Sequence, residues 1–377
     1  MTPALIPVLH SQGQIHAEVN GCLGLITLNR PEALNALSLA MIRDITALLQ
    51  AWREASEIQA VMLLAAARPG KAPVFCAGGD IRFFHEAALA GDPRLEDFFT
   101  EEYSLNHLTH HLGKPFITFL DGIVYGGGMG LCQGASHRLV TANTKMAMPE
   151  TLIGLFADVG GGYFLSRCPG ASGAWLAMTG QAIPAAHAIA LGLADHWIDA
   201  AQQQAAWDAL PALPNFEAAT LQTWIAQHAP AHMPVYEAGA EGAQIDKHFS
   251  QPTVAAIFAS LQADPDPWAQ ATLAGLRKRS PLMLHVALEH VRRAAGMTLA
   301  EDLRMERDMV RHCFHAAHLG RSGAATDTVE GIRALVVDKD QQPRWNPSRI
   351  EDVQPDMVAP FFASPWPAFA HPLKDLA

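Results

Sequence analysis

The sequence predicts an α/β unit with mainly parallel strands, followed by an all-helical unit. Apolar strand-like runs alternate with helical runs over about the first 200 residues, as in strands joined by crossover helices. Beyond that point the strand-like runs stop and helical periodicity dominates. A chain of 377 residues also exceeds the ~250–300 residues at which single hydrophobic cores stop growing. Two structural units are therefore expected.

The elements of the α/β unit can be assigned in chain order. Residues 15–19 alternate as a strand, and an Asn-Gly turn joins them to a second strand at 23–28, which predicts a hairpin. Apolar residues then recur at helical spacing over 39–52, with Ser38 as the expected N-cap. Further apolar runs of strand length follow at 61–64, 75–78, 116–120 and 137–141.

The helical unit is predicted from long periodic segments, at 216–228, 254–262 and 282–295. Prolines occur where the pattern changes, and they place the predicted boundary near residue 212. The expected units are a core with the candidate site at 12–212 and a helical C-terminal unit at 213–377.

The composition excludes several classes of protein. Only 17% of the residues are charged and 50% are hydrophobic, which is typical of a packed globular chain. The net charge of −11, from 26 Lys+Arg against 37 Asp+Glu, disfavours nucleic acid and anionic lipid surfaces as partners. Five widely spaced cysteines without a C-x-x-C pair predict neither a disulfide framework nor a structural zinc site, and favour a reducing compartment.

The chain start and the apolar runs predict a soluble, cytoplasmic protein. The first Lys or Arg is Arg30, so no basic segment precedes an apolar run as in a targeting sequence. The longest apolar stretches fall short of the ~20 residues of a membrane-spanning helix. No membrane partner is expected.

Three glycine-dense segments stand out, at 76–80, 125–130 and 158–162. Turns without side chains let backbone N–H groups approach a ligand oxygen, and a helix start adds partial positive charge, so each segment suits an oxyanion or a phosphate. Taken singly, each is more often only a tight turn or a close packing contact. None matches a complete phosphate-binding fingerprint.

Two carboxylates accompany these segments, Glu150 and Asp158, and both have apolar neighbours. Burial raises the pKa of a carboxyl group and makes it a better base near neutral pH. Two structural alternatives remain open from spacing alone: Glu150 could complement a helix N-terminus, and Asp158 could cap a helix over 160–167.

Two other groups of polar residues carry weaker signals. His107, His110 and His111 share one helical face and could bind a metal, but no H-E-x-x-H motif accompanies them. A solvated helix face is the better interpretation, and no metal is predicted. The basic run at 277–279 is usually a solvated helix end, although it could also contact a ligand phosphate.

Four motifs in register resemble the enoyl-CoA hydratase/isomerase (crotonase) superfamily. They are Leu28-Asn-Arg-Pro-Glu-Ala-Leu-Asn-Ala-Leu37, Phe75-Cys-Ala-Gly-Gly-Asp-Ile81, the run from Asp121-Gly to Gly-Gly-Gly128, and Met148-Pro-Glu150. From about residue 15 to residue 350, the chain also resembles the 3-hydroxyisobutyryl-CoA hydrolase branch of that superfamily. The segments that carry this closer resemblance are 98–103, 147–156, 158–164, 330–334, 338–340 and Trp345.

The resemblance implies a spiral of β-β-α turns followed by a helical C-terminal unit. It also implies an acyl-CoA substrate, with no cofactor besides the CoA that the substrate carries. By motif match it assigns the oxyanion hole to the backbone N–H groups of Gly79 and Gly127, catalysis to Glu150 and Asp158, and the acyl pocket to Glu102. It assigns contacts with CoA to Arg30, Ala33, Leu34, Asp80, Ile81 and Arg82.

Two positions distinguish this chain within the superfamily. Hydratases of the superfamily carry a second catalytic glutamate where this chain has Gly130, so water addition by a glutamate pair is not expected. Ala157 stands where the hydrolase branch usually has a proline before its aspartate. That departure leaves the substrate preference open.

The predicted reaction is hydrolysis of 3-hydroxyisobutyryl-CoA to 3-hydroxyisobutyrate and CoA, a step of valine catabolism. Either Glu150 attacks the thioester carbonyl to give a mixed anhydride, or it activates water, while Asp158 orients the 3-hydroxyl group or the water. The alternatives are an enoyl-CoA hydratase or isomerase and a non-catalytic CoA-binding protein. Relatives in the superfamily are commonly trimers or hexamers, so a homo-oligomer stays an alternative to a monomer.

Overall fold

The computed structural model describes residues 4–377 and confirms the α/β class and the helical C-terminal region. The strands are β1 Ala4–Ile6, β2 Ile15–Asn20, β3 Leu23–Leu28, β4 Ala60–Ala65, β5 Val74–Cys76, β6 Phe116–Leu120, β7 Ile123–Tyr125, β8 His137–Val140, β9 Lys145–Ala147, β10 Ile183–Pro184, β11 His196–Trp197, β12 His315–Ala316 and β13 Arg321–Ser322. The helices are α1 Leu39–Glu54, α2 Ile81–Ala90, α3 Arg94–His110, α4 Gly127–Gln133, α5 Gly161–Leu165, α6 Ser172–Thr179, α7 Ala185–Ala190, α8 Gln203–Ala209, α9 Ala218–His228, α10 Gly239–Phe249, α11 Val254–Ala263, α12 Pro267–Leu276, α13 Pro281–Ala294, α14 Leu299–Phe314, α15 Asp327–Ile332 and α16 Pro355–Val358.

The described chain groups into two compact units, each assembled from three segments. The first unit comprises 4–79, 104–146 and 182–236, and the second comprises 80–103, 147–181 and 237–377. This grouping differs from the single boundary expected near residue 212. The physical reason is that α2, α5 and α6, which come early in the chain, pack against α13, α14 and α15. Local sequence patterns do not report such long-range contacts.

The first unit is built on a seven-stranded sheet with the order β1-β2-β3-β4-β6-β8-β11. β1, β2 and β3 pair antiparallel, and the predicted hairpin is β2 and β3. The other neighbours pair in parallel, as expected from strands joined by crossover helices. A hydrophobic cluster covers this sheet with side chains from α8, α9 and the segment between them; its buried members include Leu23, Met62, Phe119, Leu221 and Trp224.

The helix α1 forms where the sequence predicted it. The Ser38 hydroxyl accepts a hydrogen bond from the Met41 N–H at 3.3 Å, which satisfies one of the unpaired donors of the first turn. Ile42, Ile45 and Leu49 lie on its buried face. Beside the large sheet, a second sheet of the order β10-β9-β7-β5 leads to the glycine turns described below.

The second unit is mostly helical, with one short antiparallel pair, β12 and β13, in a region where the sequence predicted no strands. α13 is capped by Ser280, and α14 begins with a capping box of Thr298 and Glu301. Both helices bury polar side chains as well as apolar ones. Across the described residues, no helix has the length and apolarity that would let it cross a bilayer.

Candidate active site

Two glycine turns of the first unit follow neighbouring strands. β5 ends at Cys76 and β7 ends at Tyr125, and the two strands pair in parallel, so the chain leaves the sheet at one edge in both cases. Gly126, with φ 49°, is the N-cap of α4, and Gly127 is the first residue of that helix. A Cβ placed on Gly78 would lie 3.8 Å from the Gly127 nitrogen. The two predicted oxyanion turns are therefore neighbours.

Gly79 is held by the chain that precedes α1. It forms an isolated parallel bridge with Leu37, whose N–H donates to the Gly78 carbonyl oxygen at 2.8 Å. The buried Asn35 side chain donates to two backbone carbonyl groups, at 3.0 and 2.9 Å, and fixes the same loop. The "Asn-Ala-Leu" part of the first motif thus shapes the turn.

The residues that the resemblance assigned to CoA binding fall into both units. In the first unit, Pro31–Ala33 forms a short 3-10 helix that ends at Leu34 with φ 55°, and the Arg30 guanidinium donates to the Ala36 carbonyl oxygen at 3.1 Å. These contacts shape a tight loop. Contact with CoA stays a prediction for all of them.

The second unit holds the other three of those residues. Asp80 caps α2, because its Oδ1 accepts from the Phe83 N–H at 3.2 Å. Ile81 is the first residue of α2, and the exposed Arg82 donates to the Val336 carbonyl oxygen at 2.9 Å. A helix that begins directly after the Gly-Gly pair accounts for this motif locally.

Three predicted site carboxylates are buried in the second unit. Glu102 lies on α3, Glu150 begins the 3-10 helix Glu150–Ile153, and Asp158 lies shortly before α5. Their exposed fractions are 2%, 7% and 5% respectively. Carboxylates are rarely buried to this degree without a cationic partner.

The three carboxyl groups influence one another electrostatically. Burial and the Asp158 charge raise the pKa of Glu102 and of Glu150 well above the ordinary range. Burial raises the pKa of Asp158 to about 6, although its hydrogen bond from Tyr103 opposes that shift. Like charges in a site of low dielectric cannot all ionise at neutral pH, so the cluster retains a proton and suits acid–base chemistry.

Two oxygen atoms of this cluster lack hydrogen-bond partners. Among the described residues, no group satisfies Glu102 Oε1 or Glu150 Oε2, although both atoms are buried. Buried polar atoms are nearly always paired, with protein or with ordered water. Each of these oxygens can accept a hydrogen bond or, when its carboxyl group is protonated, donate one to a polar group that enters the site.

Asp158 has a defined orientation. Its Oδ2 accepts a hydrogen bond from the buried Tyr103 hydroxyl at 2.8 Å. The alternative that Asp158 caps a helix over 160–167 is wrong, because α5 begins at Gly161 and its N-cap is Gly160. Glu150 does begin a short 3-10 helix, as its structural alternative supposed, but one of its oxygens points to no partner in the described chain.

The structure adds four residues that sequence reasoning did not single out. Tyr103 directs Asp158, and His290, Asp302 and Glu306 form a buried group that contacts the turn after Asp158. A signal existed for two of them. Asp302 and Glu306 are four residues apart in α14, on a helix face that is otherwise apolar.

The histidine cluster and the basic run are less deeply buried than the carboxylates. His107 and His110 are half-buried and His111 is exposed, so only part of that face is solvated; His107 and His111 stack with ring centroids 4.1 Å apart. Burial lowers the pKa of His110 to about 4. In the basic run, Arg279 is half-buried and donates to the Thr179 carbonyl oxygen.

Comparison with known proteins places these features in context. The sequence model of the enoyl-CoA hydratase/isomerase family matches residues 23–362. The chain is 38% identical over 348 residues to the mitochondrial 3-hydroxyisobutyryl-CoA hydrolase of Xenopus tropicalis, which covers 91% of this chain and 87% of that protein. It is 35% identical over 361 residues to a probable 3-hydroxyisobutyryl-CoA hydrolase of Arabidopsis thaliana, covering 93% and 92%.

Two solved structures are similar in fold over nearly the whole chain. One is described as a carnitinyl-CoA dehydratase from Mycobacterium thermoresistibile; it has a TM-score of 0.84 and 35% identity, and covers 94% of this chain and 98% of that one. The other is described as an enoyl-CoA hydratase from Rhodobacter sphaeroides, with a TM-score of 0.81, 34% identity and the same coverage.

Proposed function

This chain belongs to the enoyl-CoA hydratase/isomerase family, and from that premise we propose that it hydrolyses 3-hydroxyisobutyryl-CoA to 3-hydroxyisobutyrate and CoA. The observation that carries the proposal is the buried pair of Glu150 and Asp158, each with a raised pKa. Relatives that bear the name of this hydrolase align with the chain over about nine-tenths of its length.

The proposed mechanism starts at the thioester carbonyl. The N–H groups of Gly79 and Gly127 donate to its oxygen and stabilise the negative charge that develops there, and these dipoles need no reorganisation during the reaction. Glu150, when ionised, either attacks the carbonyl carbon or removes a proton from the attacking water. The C–S bond then breaks, and the CoA thiolate takes up a proton.

Asp158 supplies orientation in this mechanism. The Tyr103 hydroxyl occupies Oδ2, so Oδ1 is the oxygen that accepts a hydrogen bond from the 3-hydroxyl group of the substrate or from water. An acceptor fixed in this way favours a 3-hydroxyacyl group over an unsubstituted one, because only the former has a donor to offer.

A hydratase is the second candidate, since the two solved relatives are described as a hydratase and a dehydratase. Position 130 counts against it. Gly130 is a buried residue of α4 and offers no carboxylate for a glutamate pair. A non-catalytic CoA-binding protein would have little use for three buried carboxylates with raised pKa values.

A thiol-release assay with 3-hydroxyisobutyryl-CoA and crotonyl-CoA separates these candidates. We expect free CoA from the first substrate and no change in the crotonyl double bond. Hydration of crotonyl-CoA without thiol release would support the hydratase, and binding of either compound without any turnover would support the binding protein.

The two routes for Glu150 can be separated by a single turnover in ¹⁸O-labelled water. Attack by the carboxylate forms a mixed anhydride, and its hydrolysis leaves label in Glu150 when water attacks at the side-chain carbonyl. Mass analysis of the peptide that contains Glu150 reads this directly. Label confined to the released acid is expected both for activation of water and for attack of water at the acyl carbon of an anhydride, so only label in Glu150 decides, in favour of the covalent route.

Three accompanying expectations stay predictions. We propose that no cofactor is needed beyond the CoA of the substrate, which activity after dialysis against a chelator tests. A homo-oligomer is tested by light scattering. A cytoplasmic location is tested by cell fractionation, and several relatives are named mitochondrial.

A further inference from the structure

A buried group of three titratable side chains supports the turn that follows Asp158. His290 lies on α13, and Asp302 and Glu306 lie on α14; none of the three side chains is exposed to solvent. The His290 Nε2 atom is 3.3 Å from Asp302 Oδ1 and 3.3 Å from Glu306 Oε1. The imidazole thus bridges two carboxylates.

The carboxylates of this network hold the backbone of the turn. Glu306 Oε2 accepts from the Gly160 N–H at 2.7 Å, and Glu306 Oε1 accepts from the Gly162 N–H at 3.1 Å. Asp302 Oδ2 accepts from the Tyr163 N–H at 2.7 Å. Three donors in a four-residue stretch are therefore satisfied by side chains from α14, which is more than 130 residues distant in sequence.

The held turn includes a strained residue. Val159 has φ 58°, a left-handed conformation that a β-branched side chain rarely adopts and that persists only where the surrounding contacts enforce it. A Cβ on Gly162 would lie 2.3 Å from His290 Nε2 and 2.4 Å from Asp302 Oδ1. The network therefore lies directly against the backbone, and only glycine fits at that position.

We propose that His290, Asp302 and Glu306 form a positioning network that fixes the turn at 158–163 and, through it, the direction of the Asp158 carboxylate. The inference rests on the proposed function, since that function requires the Asp158 carboxylate to be oriented. Tyr103 holds Asp158 Oδ2 from α3, and the network holds the backbone on the other side of the same residue. None of the three network residues needs to touch the substrate.

Variants of Glu306 test the proposal through two independent measurements. Glu306→Ala removes both acceptors, whereas Glu306→Gln keeps one. We expect amide hydrogen exchange in the peptide that covers 158–163 to be about tenfold faster or more in Glu306→Ala, because buried hydrogen bonds to the backbone are lost, with Glu306→Gln in between. We expect kcat to fall by about 10²-fold, the scale of a small misplacement of a catalytic group, with KM almost unchanged.

Asp308→Asn is the matched control. Asp308 is also a buried carboxylate of α14; it accepts a hydrogen bond from the Ser364 hydroxyl at 2.8 Å and lies 3.2 Å from His371. Among the described residues, its hydrogen-bond and ion-pair partners lie outside the turn at 158–163. Its loss should leave the exchange of 158–163 and kcat as in the wild type. If Glu306 had only a general structural role, Glu306→Ala and Asp308→Asn should change amide hydrogen exchange across all helices to similar extents.

Three results would overturn the proposal: unchanged exchange at 158–163 in Glu306→Ala, wild-type kcat in both Glu306 variants while the wild type is active, or a stoichiometric metal ion held by the three side chains. If the wild type releases no thiol, the proposed function fails. The exchange measurement still decides on the network in that case. If Glu306→Ala does not fold, Glu306→Gln and Asp302→Asn carry the same comparison.

Discussion

The glycine turns of the first unit and the carboxylate cluster of the second unit handle charge in opposite ways. The turns present neutral backbone N–H groups whose direction is set by the ends of β5 and β7. In the cluster, ionisable side chains are buried away from water, so their chemistry depends on neighbouring groups that raise or lower the pKa of each carboxyl group. The comparison indicates that a candidate oxyanion turn can be encoded by a short motif, whereas a candidate acid–base cluster must be assembled from distant segments.

The same difference bears on the proposed acyl-CoA substrate, which is anionic although the protein is acidic. The net charge of −11 opposes the approach of CoA phosphates. Backbone dipoles are fixed in place and attract an anion locally without altering that net charge. The retained protons of the carboxylate cluster lower its negative charge further near neutral pH.

The largest expected effect comes from the cluster. Glu150→Gln should reduce kcat for thioester hydrolysis by at least ~10²-fold, because the amide can act neither as nucleophile nor as base. The measurement is thiol release under saturating substrate. Glu289→Gln is the control, since Glu289 is partly exposed on α13 and pairs only with Arg293 among the contacts described. Near-normal turnover in Glu150→Gln would remove Glu150 from the mechanism.

A smaller effect is expected at the glycine turn. A Cβ on Gly128 would lie 2.7 Å from the Cys76 carbonyl oxygen, so Gly128→Ala should lower the free energy of unfolding by about 1–3 kcal/mol through overpacking. Gly275→Ala is the matched control, because a Cβ there meets nothing within 4 Å and its backbone φ is ordinary. Urea unfolding of both variants checks this. Equal stability of the two variants would contradict the expected close packing at the turn.

The network around His290 should make stability depend on pH. Burial opposes the charge of His290, but its hydrogen bonds to Asp302 and Glu306 raise its pKa to about 9. A raised pKa stabilises the folded state fully below the ordinary value of ~6.5, and that stabilisation is lost as the pH rises through about 9. Burial and the Asp302 charge raise the pKa of Glu306 as well, which acts in the same direction.

We therefore expect the free energy of unfolding to fall between pH ~6.5 and about 9, and to fall less steeply in His290→Gln. His248→Gln is the control, because burial lowers rather than raises the pKa of His248, so the titration of that residue does not make stability fall as the pH rises. Thermal unfolding across the pH series measures the slope. An identical slope in His290→Gln and the wild type would contradict the assignment of the charge to His290.

The smallest expected effect is a shift of the pH–rate profile. The Asp158 charge is the second cause, after burial, of the raised pKa of Glu150. Asp158→Asn removes that charge, so Glu150 ionises at lower pH, and the acid limb of the residual kcat moves to lower pH. The Asp308→Asn control should keep the wild-type limb. A limb that moves to higher pH would show that Asp158 stabilises the ionised form of Glu150.

The sequence predicted most of the local structure because the relevant forces are local. The strands at 23–28 and 116–120 were assigned to the residue, since runs of apolar residues bounded by turn residues report buried strands directly. The cap at Ser38 was likewise readable from its position before an apolar periodic segment. The glycine turns were predicted for the same reason, because short motifs encode turns, whereas the catalytic role of Glu150 stays a prediction.

The roles of Tyr103 and His290 were not predictable in this way. Tyr103 contacts Asp158 across 55 residues of chain, and Glu306 contacts Gly160 across 146. Periodicity places such residues on a buried helix face but does not identify the partner. The composition of the two units was not predictable either, because segments 80–103 and 147–181 group with helices far along the chain.

The sequence by itself determined the family, the α/β class, the glycine turns and the identity of the carboxylates, since all of these depend on residue type and local spacing. The tertiary structure alone decided that Glu102, Glu150 and Asp158 are buried together, that Tyr103 directs one of them, and that a network from α13 and α14 holds the turn. The physical reason is that a pKa and an orientation belong to a group in its surroundings. Those surroundings exist only after distant segments have packed.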